Sequence, residues 1–237
     1  MRNKIFALLR LDFATVRPYF GWKQGLLYLA VVLLLTFFTA RDGSSAGSGS
    51  IAGILAVFAV LNASLPFNLA ERNNLDVLYA SLSVSRKQLV LGRYGFSLLS
   101  VLGALLAGAA LSFLIWAGTG LGGPSWALEY FSAALALFLL FSLVLFVQLP
   151  VYFKLGYTKA KLLSYLPILL MAASVAALGG WQAGGESAAL RLELIAAWLK
   201  TNPGAPLVLG ITLAALWLLL GALSCHLSIR FYERRDF

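Results

Sequence analysis

Six apolar runs, at roughly 22–40, 49–70, 95–118, 129–152, 161–180 and 205–228, alternate with short polar segments along the chain. A helix needs about 20 apolar residues to cross the ~30 Å hydrocarbon layer of a bilayer, so the pattern predicts six transmembrane helices. Little length is left for anything else, and residues 1–237 read as a single all-α polytopic membrane domain. Composition agrees. The chain is 61% hydrophobic and 11% charged with a mean hydropathy of +0.88, whereas soluble domains carry about 25% charged residues.

The polar segments predict further helices. Ile5, Leu8, Leu9, Asp12, Phe13 and Val16 recur at helical spacing with one polar exception, and Arg10, Asp12 and Arg17 interrupt any cleavable signal. The first twenty residues therefore read as an interfacial helix with its apolar face in the headgroup layer and its basic residues in water. Residues 41–50 have the composition of a flexible linker, and no phosphate-cradling G-x-x-x-x-G-K-[ST] loop occurs in the sequence. Gly118 to Trp126 reads as a tight turn, and Glu186 to Lys200 as a helix on the outer leaflet before the last span, its end charges complementing the helix dipole.

Charge sets the expected orientation. With both termini in the cytoplasm, the outer loops hold only Arg41, Arg191 and Lys200 of the 18 Lys and Arg residues, as expected where cytoplasmic loops retain positive charge. The net charge of +9 is then a topology signal and an attraction to anionic membrane lipids, not a sign of nucleic-acid binding. The lone Cys225 cannot form an intrachain disulfide. Next to His226, the only histidine, it falls short of the three or four ligands a zinc site requires. Within the spans, Gly103 with Ala107 and Ala104 with Gly108 are small pairs that let helices approach, while Asn62, Asn68 and Gln148 are expected to join helices by hydrogen bonds, the alternative being that they line a path.

Two polar segments between spans stand out. In ERNNLDVLYASLSVSRKQLVLGRYG, Glu71 to Gly95, Leu75, Leu78, Tyr79 and Leu82 share one helical face, with Asp76 on another. Ser83 follows, and Ser85, Arg86, Lys87 and Gln88 fit a capping box that opens a new helix. In QLPVYFKLGYTKAKLLSYLP, Gly156 permits a sharp turn ahead of Tyr157, Lys159 and Lys161.

These two passages resemble the membrane subunit of type 2 ABC exporters, the small bacterial permeases whose ATPase is a separate polypeptide. ERNNLDVLYASLSVSRKQLVLGRYG is similar to that family's acidic and asparagine-bearing start, short amphipathic helix, turn and basic approach to the third span; LPVYFKLGYTKAK is similar to its turn of proline, aromatic, lysine, aromatic and glycine. Ser83 stands where the family usually has proline. The resemblance implies a bacterial inner-membrane, multi-pass permease with cytoplasmic coupling helices, working as a homodimer or with a related second permease. Leu75, Leu78, Tyr79 and Leu82 would dock into a groove of an ABC-type ATPase. Asp76, Ser83 and Ser85 would belong to the same contact, Arg86 and Lys87 would meet acidic residues at its rim, and Gly156, Tyr157 and Lys159 would make a second contact. No cofactor is implied in this chain; ATP and Mg belong to the partner ATPase. Amphipathic or hydrophobic cargo is implied, with antimicrobial peptides, lipids and drugs as instances.

Other function classes remain open at this stage. An ion-coupled secondary transporter normally carries ionisable groups at membrane depth, but Glu71 and Glu129 fall at span ends. A membrane enzyme would need an acid–base constellation that the sequence lacks. A membrane scaffold or immunity protein is the alternative that the sequence excludes least.

Overall fold

The structure is a computed structural model and describes residues 2–19, 21, 25–26, 29–31, 33–34, 47–73, 75, 85–119, 126–166, 168–170, 173 and 204–234. Every regular element among them is helical: α1 (Arg2–Val16), α2 (Gly47–Ala63), α3 (Leu65–Arg72), α4 (Arg86–Thr119), α5 (Trp126–Leu155), α6 (Tyr157–Ala160) and α7 (Ala205–Glu233). Short 3-10 turns follow α1 and α6, at Arg17–Tyr19 and Lys161–Tyr165.

Among the described residues, four segments are long and apolar enough to cross a membrane: Ile51–Arg72, Arg86–Gly118, Trp126–Leu155 and Leu207–Glu233. They answer to the second, third, fourth and sixth apolar runs. Most of the run at 22–40 and half of that at 161–180 lie outside the described residues, as does the helix expected at 186–200.

The unbroken apolar pattern at 49–70 predicts one helix, and the structure has two. Pro66 is the cause, since it brings no N–H to the ladder and its ring crowds the carbonyl one turn back. The chain turns at Ser64, whose hydroxyl donates to the Leu61 carbonyl at 2.7 Å. At about 1.5 Å per residue, α4 and α5 extend to roughly 50 and 45 Å, longer than the hydrocarbon layer, so they project beyond it and carry the flanking polar segments with them.

α5 is the central element, packed on α2, α4 and α7, with Phe141, Leu145, Leu149 and Tyr152 buried along its length. The α7 helix leaves most of its apolar surface open, including Leu207, Ile211, Leu218 and Leu219. In a bilayer such a surface carries no hydrophobic penalty, and helices hold together by close packing and polar contacts. α7 shows both. Trp217 donates its indole N–H to Ser142, Ser224 donates to the Phe146 carbonyl, and Tyr94 reaches Ser224 and Ser228 at 2.6 and 2.7 Å. Gln148 joins helices as expected, donating to the Leu163 carbonyl at 2.5 Å.

The α1 helix forms where the sequence predicts it, but its apolar side lies against protein. Leu8 and Val16 are buried on α4 and α3, with Gly92 and Gly95 admitting the close crossing: a β-carbon at Gly95 would stand 3.0 Å from the Leu9 side chain. Phe6, Leu11 and Phe13 form the exposed apolar side instead, while Arg10 and Arg17 face outward. Of the small pairs on α4, Gly108 packs under Tyr130, whereas Gly103 faces open space.

Candidate functional site

The polar segments converge at one end of the bundle. There α3 ends at Arg72, α4 begins at Arg86, α5 gives way to α6, and α7 ends at Glu233. The start of α4 is the capping box the sequence predicts: the Gln88 N–H donates to Ser85 Oγ at 3.3 Å, and the Ser85 N–H donates to Gln88 Oε1 at 3.2 Å. The two bonds satisfy donors that a helix start otherwise leaves open.

Arg86 reaches across to α7. Its Nη1 donates to the carbonyls of Glu233 at 2.7 Å and Tyr232 at 3.2 Å, the last turn of that helix, where a cation is favoured by the helix dipole. Lys154 lies 5.2 Å from the Phe231 ring centroid and fixes the end of α5 to the same turn. Lys87, by contrast, is exposed.

Gly156 takes a φ of 77°, the left-handed region that favours glycine, and this reversal aims α6 back toward α3. There the Glu71 carboxylate accepts the Thr158 backbone N–H at 3.0 Å. The two segments singled out in the sequence thus meet in one surface. Tyr157 is half-buried with its ring centroid 6.2 Å from that of Tyr152, and Lys159 is exposed. Leu75 is half-buried against the chain's own core. Asp76, Leu78, Tyr79, Leu82 and Ser83 lie outside the described residues.

Below this surface is a pair that the sequence reading did not foresee. Arg93 Nη1 and Asp12 Oδ1 are 3.6 Å apart with both side chains buried, and the Arg93 guanidinium also sits 5.0 Å from the Phe67 ring centroid. Burial raises the Asp12 carboxyl above its ordinary pKa, partly offset by the charge of Arg93. The pair therefore joins α1 to α4 beside α3, directly behind the segment that leads into residues 71–84. The signal was present in the sequence, since Asp12 is the polar exception on the inward face of α1.

Among the described residues no three His, Cys, Asp or Glu side chains gather as a metal site would require. What the arrangement offers is mechanical. A polar and partly apolar surface, formed by the ends of several long helices, is tied to those helices by hydrogen bonds, with a buried ion pair beneath it. A family model described as ABC-2 family transporter protein matches residues 7–233. No curated protein and no solved structure matches the chain.

Proposed function

The chain belongs to the ABC-2 transporter family, and from that premise we propose that it is the permease subunit of an ATP-driven exporter coupled to a separate ATPase through residues 71–94. The observation that carries this reading is the Glu71–Thr158 hydrogen bond, because it unites both expected coupling segments in one surface at the end of the long helices. Leu78, Tyr79 and Leu82 supply the apolar anchors of that contact, and Lys87 and Lys159 supply exposed positive charge around it. The surface lies on the cytoplasmic side, where most of the Lys and Arg residues fall and where ATP is available. ATP and Mg bind the partner, and closure of two ATPase subunits rocks a pair of permeases between inward and outward states. The cargo is amphipathic or hydrophobic, with cytolytic and antimicrobial peptides the first to screen.

The test is co-expression with an ABC-type ATPase, purification through a tag on this chain, and transport into inverted vesicles. A stoichiometric ATPase and ATP-dependent uptake of an amphipathic peptide are expected. Purification of the chain with no nucleotide-binding partner, together with gradient-driven transport, would favour the ion-coupled alternative.

A further inference from the structure

A second feature lies away from the coupling surface. Between α1, α2 and α4 is an open groove of about 510 Å³, within the roughly 300–1,000 Å³ range of small-molecule sites. Its walls are almost wholly apolar, with Phe13, Phe58, Phe96 and Leu99 among them, and Gly103 leaves its floor without a side chain. Arg17 stands at the groove and is exposed, and it has no ion-pair partner among the described residues.

We propose that this groove is a binding site for an anionic phospholipid, one acyl chain lying along Phe58, Phe96 and Leu99 and the headgroup phosphate meeting Arg17. Three properties of the groove select that occupant. It is apolar, and Phe13 and Leu99 of its lining are exposed, so they would face the acyl chains of a surrounding bilayer. It adjoins α1, whose exposed Phe6, Leu11 and Phe13 fit the depth at which headgroups begin. Arg17, the one cation among the described residues that line it, calls for an anion, and guanidinium pairs with phosphate through paired hydrogen bonds. The basic ends of the chain place the groove in the cytoplasmic leaflet; only that leaflet's name rests on the exporter reading, and lipid selectivity does not depend on an ATPase.

The experiment uses the full chain in phosphatidylcholine liposomes doped with a phosphatidylglycerol carrying a diazirine in its acyl chain, with labelled peptides mapped by mass spectrometry. Labelling is expected to concentrate around Phe58, Phe96 and Leu99 over the open face of α7 at Leu218 and Leu219. Unlabelled phosphatidylglycerol should displace the probe at concentrations about fivefold lower than phosphatidylcholine, the worth of one basic residue at an anionic surface, and Arg17→Gln should abolish that preference. Gly103→Phe should cut groove labelling while α7 labelling persists. The new side chain has room to start, since a β-carbon there meets nothing within 4 Å, and replacing glycine within a helix is favourable. Even labelling of groove and α7, or insensitivity to Gly103→Phe, would overturn the proposal. So would crosslinking of a Gly103→Cys, Cys225→Ser chain to its own residues 22–40 or to a second copy in place of lipid.

Discussion

The Glu71 carboxylate accepts the Thr158 backbone N–H at 3.0 Å, although the two residues belong to segments separated by two long helices. The bond is exposed, so its contribution to stability is small, of the order of 1 kcal/mol for a hydrogen bond in water. Its consequence lies in coupling. Glu71→Ala should leave the folded protein within a few degrees of its original Tm and lower transport per ATP hydrolysed severalfold, because the two segments would no longer move together. Vesicle transport and ATPase assays on the same preparation read the ratio; an unchanged ratio would remove this bond from the coupling path.

The Asp12–Arg93 pair should behave as a buried ion pair. Removing one partner strands the other charge and typically costs about 3–5 kcal/mol, whereas replacing both with apolar residues can be neutral. Arg93→Leu is therefore expected to lower Tm sharply, and Asp12→Leu combined with Arg93→Leu to recover much of the loss. A double variant no better than the single one would show that the pair is not the interaction being broken.

The raised pKa of Asp12 fixes the sign of its pH dependence. In the window between the ordinary carboxylate value of 3.8 and the higher folded value, the folded state holds the proton more tightly than the unfolded state. Stability gained from Asp12 is present below that window and is lost as pH rises through it. The Tm of the original protein relative to Asp12→Asn, which does not titrate, should fall as pH increases above 3.8. A difference that grows with pH would contradict the raised value.

Orientation is testable with single cysteines in a Cys225→Ser background. An impermeant thiol reagent applied to intact cells should label cysteines replacing Ser48 and Ser187 and spare those replacing Ser81 and Thr158. The opposite pattern would place the Glu71–Thr158 surface outside the cell.

Much of the helical framework was legible in the sequence because it depends on local pattern. Ser85 and Gln88 mark the start of α4 by chemistry that spans one turn, and Gly156 marks the bend between α5 and α6 because few residues tolerate a positive φ. The break at Ser64 was also within reach, since Pro66 was visible; the surrounding apolar run obscured it. What periodicity does not encode is pairing between distant segments. Asp12 stood out as an exception without revealing Arg93 as its partner, and Glu71 gave no sign of bonding to Thr158 because the donor is backbone. Arg86 was expected to meet acidic residues on a partner, and its guanidinium lies on the carbonyls of the last turn of α7. The chain's membership of the ABC-2 family agrees with the resemblance carried by the two polar passages.

The most direct measurement of the docking claim is site-specific photo-crosslinking. A benzophenone amino acid would replace Tyr79, Tyr157 or, as the control on the other side, Ser48, in cells that also express an ABC-type ATPase. The probe at Tyr79 and at Tyr157 is expected to crosslink to the ATPase and the probe at Ser48 is not, and Leu78→Asp should reduce the Tyr79 crosslink about tenfold, as when about 1.5–3 kcal/mol of apolar burial is lost. Absence of an ATPase crosslink from both Tyr79 and Tyr157, in cells where the two proteins nevertheless co-purify, would contradict the docking claim.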